Sequence, residues 1–181
     1  MPTSAAVLLI NLGSPEAPTK KALRPYLNQF LSDRRVIDLP RWQWLPILHG
    51  IVLNTRPKRS AHAYRQIWQE DGAPLIAITA RQTVALRVTL AARGLGHYHV
   101  VSAMRYGEPS IARTLQTLAA NGLEKLLVMP MYPQYSDATT ASVFDGVAQA
   151  LKKQRGIPEL RLVRDWHTHP RYIAALADSI R

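Results

Sequence analysis

The 181-residue sequence contains no cysteine and comparatively few acidic residues. Without cysteine, this stretch has no disulfide scaffold, no thiolate zinc site, no cysteine nucleophile and no iron–sulfur cluster of its own. Its 12 Asp and Glu residues face 23 Lys and Arg residues, which gives a formal net charge of +11. Such a charge suits a polyanionic partner, an anionic membrane surface or a well-solvated basic exterior.

Long apolar runs are also missing, although 47% of the residues are hydrophobic, as in a globular protein. The segment 45–53 is interrupted by Pro46, His49 and Gly50, whereas a bilayer-spanning helix needs about 20 apolar residues. The apolar segment Ala5–Leu12 is not preceded by Lys or Arg, as the core of a secretory signal would be. We therefore expect a cytoplasmic protein, and the positive charge leaves peripheral membrane attachment open.

Several common motifs are absent. Gly94-Leu95-Gly96 precedes a predicted strand, so it cannot present a helix N-terminus to a dinucleotide pyrophosphate. The densest basic run, Arg56–Arg59, could pair with phosphates or carboxylates, and a solvated surface is the alternative. Aromatic and basic residues do not alternate as in a groove for single-stranded nucleic acid, so no nucleic-acid partner is expected.

Four short apolar runs predict strands buried between helices. They are Ala6–Asn11, His99–Met104, Lys125–Pro130 and Glu159–Arg164. Helical spacing of apolar residues separates them, and it starts with Lys20–Leu31, where Pro25 fits poorly unless the helix begins near it. The other helical sets are Ala77-Ala80-Val84-Val88-Ala91, Ile111-Leu115-Leu118-Ala119 and Val143-Val147-Ala150-Leu151. Alternating strands and helices predict an α/β fold with a doubly wound, mostly parallel sheet flanked by helices, which is Rossmann-like.

The predicted helix ends carry suitable residues. Gly94, Gly122 and Gly156 follow the last three helical sets, where a left-handed residue is favoured. Ser110 and Asp137 are predicted N-caps.

Ligands of open α/β sheets bind beyond the carboxyl ends of the strands. This rule selects the segments Asn11–Pro15, Arg105–Gly107, Met131–Ser142 and Asp165–His169. The stretch from Leu12 to Tyr98 is too long for one crossover, and insertions of this size are often functional lids.

Two histidine pairs have the spacing to contact a metal. His97 and His99 would lie on one face of a strand, and His167 and His169 follow the fourth strand, where they could also shuttle protons. A solvent-facing strand start and a structural loop pair are the alternative interpretations.

The segment Met129–Ser142, which reads MPMYPQYSDATTAS, resembles the signature region of the ferrochelatase family. That family inserts ferrous iron into protoporphyrin IX as the last step of haem synthesis. Further segments resemble the family in the same order: Leu8–Pro15, Tyr26–Asp33 with Asp38–Pro40, Tyr64–Trp68 with Gly72–Leu75, and Met104–Gly107. The resemblance covers residues 5–181. It implies that residues 1–181 form an N-terminal lobe with a porphyrin-side lip inserted at about residues 15–75, and that the second lobe is absent from this chain.

The resemblance implies a porphyrin-binding surface without a catalytic or metal-binding residue in this chain. The family's metal-site His and its partner Glu are expected beyond Arg181, so the fragment alone is predicted to be inactive. No cofactor is implied, because Fe²⁺ and protoporphyrin IX are substrates. Leu12 would lie beneath the macrocycle, Arg56 suits a propionate, and Ala73 stands where many relatives have Ser. The expected porphyrin-binding residues are Leu12, Tyr26, Leu27, Leu31, Arg56, Tyr64, Ala73, Arg105, Tyr106, Tyr132, Tyr135 and Ser136.

The mechanism implied by the resemblance has this lobe grip and bend the macrocycle, while a neutral His accepts pyrrole protons and carboxylates deliver Fe²⁺. Phe30, Trp42 and Trp44 would add to the lip. A chelatase for another tetrapyrrole or metal, a non-catalytic tetrapyrrole-binding domain and a nucleic-acid-binding domain are the alternatives.

Overall fold

The computed structural model describes residues 4–181, and its centre is a parallel sheet. The strands are β1 (Ala5–Asn11), β2 (His99–Met104), β3 (Lys125–Pro130) and β4 (Glu159–Leu162). They lie in the order β2-β1-β3-β4, and every neighbouring pair is parallel. The predicted parallel α/β fold is confirmed. Only β4 ends earlier than predicted, because its pairing with β3 stops at Leu162 opposite Val128.

Seven α-helices accompany the sheet in the described residues. They are α1 (Lys20–Leu31), α2 (Arg41–Ile47), α3 (Leu53–Ile67), α4 (Pro74–Ala92), α5 (Ile111–Ala120), α6 (Ser142–Leu151) and α7 (Pro170–Ile180). Two single π-helical turns, Leu48–Val52 and Asp137–Ala141, lead into α3 and α6.

The sheet is covered on both faces, as a doubly wound fold requires. On one face, Leu86 and Leu90 of α4 pack against Val7 and Leu9 of β1 and Val100 of β2. Because side chains alternate along a strand, the intervening residues of β1 point to the opposite face. There they join the larger core, which α5 and α6 cover and which includes Leu8, Ile10, Leu115, Val128, Val143 and Val147.

Helix α4 forms where it was predicted, but the apolar residues that predicted it do not mark its buried side. Val84 and Val88 of that set are 55% and 63% exposed, whereas Thr79 and Thr83 are buried. Burial of the two threonines is tolerated because their hydroxyls donate to the carbonyls of Leu75 and Thr79, at 2.7 and 2.8 Å. Because α4 is apolar on most sides, the spacing of its apolar residues does not show which face packs against the sheet.

By length and composition, α4 is also apolar enough to cross a membrane, and 11% of its apolar window is buried. Core helices and signal sequences meet the same criterion, so it does not by itself assign a membrane span.

The helix ends follow the predictions in part. Gly94 and Gly122 have the expected positive φ, of 74° and 80°, but α6 ends at Leu151, and Gly156 lies beyond it without a positive φ. Ser110 is the N-cap of α5, although its side chain makes no cap hydrogen bond. Asp137 is not a cap, because Ser136 holds that position before the π-turn.

Helix α1 begins at Lys20, as predicted, and continues through Pro25. Its start is stabilised by Thr19, whose hydroxyl accepts a hydrogen bond from the Ala22 N–H at 3.2 Å. Proline costs the helix one backbone bond, to the carbonyl of Lys21. Lys21 is exposed, so water can satisfy that carbonyl.

The segment between β1 and α4, which we call the insertion (residues 12–73), forms its own small core. Leu23 and Leu27 of α1 pack there against Leu48, Leu53 and Ala61. The core also holds α2, because the indole Nε1 of Trp44 donates to the carbonyl of Leu31 at 2.7 Å.

Replacing Trp44 with Phe should therefore weaken the insertion. We expect Trp44→Phe to lower the free energy of unfolding by about 1 kcal/mol, because the carbonyl of Leu31 loses its indole donor. Trp42 lies two residues earlier, is 76% exposed and serves as the matched control, since Trp42→Phe should change stability by less than about 0.5 kcal/mol. Urea unfolding of the wild type and the two variants measures both effects. Equal losses in the two variants would contradict a stabilising hydrogen bond from Trp44 to Leu31.

Candidate functional site

The strand order places a crevice at the carboxyl end of β1. The chain runs from β1 to β2 on one side and then crosses to β3 on the other. In sheets of this kind, ligands bind where the direction of strand order reverses. The loops after β1, β2 and β3 meet there, and the insertion begins directly at this point.

The loops after β1 and β2 are in backbone contact. The N–H groups of Arg105 and Tyr106 donate to the carbonyls of Asn11 and Leu12, at 2.8 and 2.9 Å. Gly13 has a φ of +102°, and a Cβ added there would lie 1.8 Å from the carbonyl oxygen of Tyr106. Only glycine allows this approach, so the two loops form one rigid floor.

Asp33, just after α1, fastens the insertion to this floor. Its Oδ2 accepts hydrogen bonds from Arg105 Nη2 at 2.6 Å, from the Tyr106 hydroxyl at 2.7 Å and from Ser142 Oγ at 2.5 Å. Its Oδ1 accepts from the backbone N–H of Arg35 at 2.8 Å. The Asp33 side chain is 7% exposed and that of Arg105 17%, so this ion pair is shielded from solvent.

The network sets the charge of its members. Burial alone would raise the pKa of the Asp33 carboxyl, but hydrogen bonds from Ser142, Tyr106 and the Arg35 N–H, together with the Arg105 charge, hold it below its usual value. Burial raises the pKa of the Tyr106 hydroxyl well above its usual range. At neutral pH, Asp33 is therefore an anion and Tyr106 a neutral donor.

Aromatic side chains of the insertion cover the floor. Phe30 packs edge-on against Tyr106, with ring centroids 5.3 Å apart, and stacks on Tyr26 at 6.4 Å. Tyr64 of α3 lies edge-on to Tyr26, also at 6.4 Å. Burial raises the pKa of the Tyr26 hydroxyl, which donates to the carbonyl of Gly13 at 3.3 Å. We call Tyr26, Phe30, Tyr64 and Tyr106 the aromatic cluster.

Half of the residues predicted to bind porphyrin meet in the small core around this cluster. Leu27, Leu31, Tyr26 and Tyr106 are buried there, and Leu12 and Tyr64 are half-buried at its edge. The four buried residues are held by core packing and support the aromatic cluster from behind. Leu12 and Tyr64 keep surface that a ligand could contact.

Two more predicted residues adjoin the cluster. Arg105 belongs to the Asp33 network, and its guanidinium carbon lies 4.7 Å from the centre of the Tyr106 ring. Burial raises the pKa of the Tyr132 hydroxyl, Tyr106 adds to this effect, and the positive charge of Arg105 partly opposes it. Within residues 4–181, this buried hydroxyl has no hydrogen-bond partner.

The remaining four predicted residues lie outside the cluster. Ala73 is buried at the start of α4, and Arg56 is exposed on α3. Tyr135 and Ser136 are exposed, and Tyr135 donates to Asp137 at 2.8 Å and lies under the guanidinium of Arg164, 4.5 Å away. Of Leu12, Arg56 and Tyr135, only Leu12 packs against the small core of the insertion.

Two hollows flank the network. The smaller, of about 160 Å³, lies between the loop after β1 and α1 and is lined by Tyr26 and Ser14, whose buried hydroxyl has no hydrogen-bond partner among residues 4–181. The larger, of about 490 Å³, lies between the end of α1 and α6 and contains Arg105.

The histidine pairs do not form a metal site in the described part of the chain. Residues 4–181 contain no group of three or more His, Asp or Glu side chains placed to hold a metal ion. His169 is the N-cap of α7, with Nδ1 accepting from the Arg171 N–H at 3.3 Å. Its neighbour His167 lies 3.8 Å from Asp165. For this pair, the structural interpretation fits the geometry.

Sequence reasoning missed Asp33 and Ser142 as site residues. Asp33 stands in the run Asp33-Arg34-Arg35, which is typical of a solvated helix end. Ser142 stands in a segment rich in small residues. One signal was available: with few acids and many bases, an Asp directly after an apolar helix is a strong candidate for a buried ion pair.

The fold and this site define a doubly wound α/β lobe whose ligand crevice lies beneath an inserted helical lip. The family model described as Ferrochelatase matches residues 4–181, and the chain therefore belongs to the ferrochelatase family. The resemblance inferred from the sequence is confirmed.

Curated relatives agree with this assignment. The chain is 50% identical over 181 residues to a ferrochelatase of Aeromonas hydrophila subsp. hydrophila, covering 100% of this chain and 56% of that protein. It is 53% identical over 175 residues to ferrochelatases of Azoarcus sp. (strain BH72) and Teredinibacter turnerae, covering 97% of this chain and 48% of each relative. The chain thus spans about half the length of the curated relatives it matches.

Proposed function

We propose that this chain is the porphyrin-gripping half of a ferrochelatase, which inserts Fe²⁺ into protoporphyrin IX in haem biosynthesis. The observation that carries the proposal is the aromatic cluster at the switch point of the sheet, in a chain that belongs to this family. A porphyrin is a flat apolar disc with two carboxylate tails. A site for it needs apolar and aromatic walls and a few cations.

The division of labour follows from the residues present. Leu12, Phe30 and Tyr64 are half-buried at the edge of the cluster and offer apolar surface to the disc. The floor formed by the loops after β1 and β2 is rigid, so binding energy can be used to bend a flexible macrocycle. The groups that accept pyrrole protons and deliver iron are proposed to lie outside residues 1–181, and the chain alone is expected to insert no iron.

The setting of the protein is also a proposal. A cytoplasmic location with peripheral membrane contact is supported by the net charge of +11 and by exposed Trp42 and Ile51 on the insertion. Protoporphyrin IX and Fe²⁺ are the proposed small-molecule partners, and both are substrates.

Porphyrin binding by the chain tests the proposal. Titration with protoporphyrin IX should change its fluorescence and saturate, and coproporphyrin in a parallel titration tests the alternative tetrapyrrole. No saturable binding of either porphyrin by the folded chain would contradict the proposed function.

Arg56 provides a sharper test, because it shows how the bound porphyrin is oriented. It lies at the border of the α3 face that buries Leu53 and Pro57, where it could pair with a propionate. Because the side chain is exposed, we expect Arg56→Ala to weaken binding only roughly fivefold. Arg65, nine residues later and on the opposite side of α3, is the matched control. If Arg56→Ala and Arg65→Ala bind protoporphyrin as the wild type does, Arg56 is not part of the site.

A further inference from the structure

We propose that the larger hollow, between the end of α1 and α6, is a binding site for a phosphate group, separate from the porphyrin crevice. All eight residues that surround it are polar: Gln29, Ser32, Asp33, Arg34, Arg41, Arg105, Asp145 and Gln149. A lining of polar residues suits a small, strongly hydrated ligand better than an apolar disc.

Charge selects an anion. Three guanidinium groups face two carboxylates around the hollow, and both carboxylates already have their own cation. Asp33 is neutralised by Arg105 at 2.6 Å. Asp145 is neutralised from outside the hollow by Arg35, whose Nε lies 2.8 Å from Oδ2. Arg35 also lies 3.7 Å from Asp137, so four arginines face three carboxylates around the hollow, and the surplus of one positive charge favours an anion.

Two of the guanidinium groups are held in place before any ligand arrives. Arg105 donates Nε to Ser142 and Nη2 to Asp33, and no hydrogen bond from residues 4–181 engages its Nη1. Arg41 is half-buried and donates to the backbone carbonyl of Ser32, and no other acceptor among the described residues engages its guanidinium. Arg34 forms no salt bridge within the same range and completes the set.

This arrangement favours phosphate over a simple halide. A guanidinium presents several N–H donors in a fixed plane, which matches the oxygens of an oxyanion and not a single spherical ion. Because Arg41 and Arg105 are fixed by other contacts, binding sacrifices less side-chain freedom than it would at a patch of mobile lysines.

The space beside Arg105 is maintained by Gly146 of α6. A Cβ added there would lie 3.3 Å from Cδ of Arg105 and 3.1 Å from Ile111. The glycine thus lets the arginine lie flat along α6.

Titration of the chain with inorganic phosphate tests the proposal. At fixed pH 7.5 and fixed ionic strength, with chloride as the balancing ion, we expect the unfolding midpoint to rise saturably with phosphate. A parallel titration with glycerol phosphate distinguishes a site for free phosphate from one for a phosphate ester. Calorimetry at 25 °C gives the affinities.

Two arginine variants, one aspartate variant and a control make the test specific. Arg34→Ala and Arg41→Ala should each weaken phosphate binding roughly tenfold. Arg34 is exposed, so its variant keeps the test interpretable if Arg41→Ala disturbs the insertion. Arg81→Ala, which removes an exposed arginine paired with Asp71 at 3.1 Å, should bind as the wild type does.

Asp145→Asn should act in the opposite direction. Removing this carboxylate leaves Arg35 paired only with Asp137 and raises the positive charge at the hollow, so phosphate should bind more tightly. General damage to the fold would weaken binding instead. Stabilisation that does not saturate, or that is the same in all four variants, would show mere salt screening and overturn the proposal. The variants leave Arg105, Leu12 and Tyr64 unchanged, so a parallel protoporphyrin titration distinguishes loss of the phosphate site from loss of porphyrin binding.

Discussion

Gly13→Ala is expected to unfold the protein or to leave it severely destabilised. The added methyl carbon would collide with a backbone oxygen, that of Tyr106, at 1.8 Å. A backbone atom cannot move aside as a side chain can, so the loops after β1 and β2 must separate. The residue would also keep a positive φ of 102°, which alanine rarely adopts. We expect a loss of about 4 kcal/mol or more.

Gly94→Ala is the matched control for this variant. Gly94 also has a positive φ, but a Cβ added there meets nothing within 4 Å. The control therefore carries the backbone strain without the collision and should cost about 1 kcal/mol. Circular dichroism and urea unfolding of the two variants separate the cost of the backbone strain from the cost of the collision. Similar losses in both would show that the loop contact is not as close as described.

Asp33→Asn is expected to lower the free energy of unfolding by about 3 kcal/mol at pH 7, because the largely shielded Arg105 loses its counter-charge. The effect should depend on pH in a defined direction. The pKa of Asp33 is lowered from 3.8 in the folded state. Its contribution to stability is therefore complete above the unfolded-state pKa and is lost as the pH falls through the folded-state pKa. The difference between wild type and variant should shrink below about pH 4.

Urea unfolding between pH 7 and pH 3 measures this difference. Asp71→Asn is the matched control, since Asp71 belongs to an exposed ion pair with Arg81. Exposed pairs contribute about 0–1 kcal/mol, so the control should stay close to the wild type throughout. A pH-independent loss in Asp33→Asn would mean that the carboxylate charge is not what stabilises the network.

The sheet was predictable because its signal is local. Each strand is a short apolar run, and burial on both faces leaves little else in the sequence of β1 and β3. The order of the strands is not local, since it depends on which crossovers pack. The packed side of α4 was hidden for a related reason: buried threonines satisfy their own hydroxyls within the helix.

The sequence located several segments of the proposed site through their resemblance to the family, but not the contacts between distant segments. Leu12, Tyr26 and Tyr64 lie in one small core, and their binding of porphyrin stays a prediction. The role of Asp33 depends on partners far along the chain, which no window of neighbouring residues contains. Tyr135 and Ser136 stand in the most specific motif, but local contacts with Asp137 and Thr139 hold them at the surface.

The three side-chain ties of Asp33 cross sequence separations of 72, 73 and 109 residues. During translation, the helical insertion leaves the ribosome long before Ser142 is made, so the Asp33 carboxylate cannot complete its set of partners until then. The Asp33 network, which fastens the insertion to the floor, is therefore completed late in biosynthesis. Domains generally fold as they emerge from the ribosome. A nascent protein stalled between β2 and α6 would display a loosely attached lip, which is a substrate for chaperones or proteases.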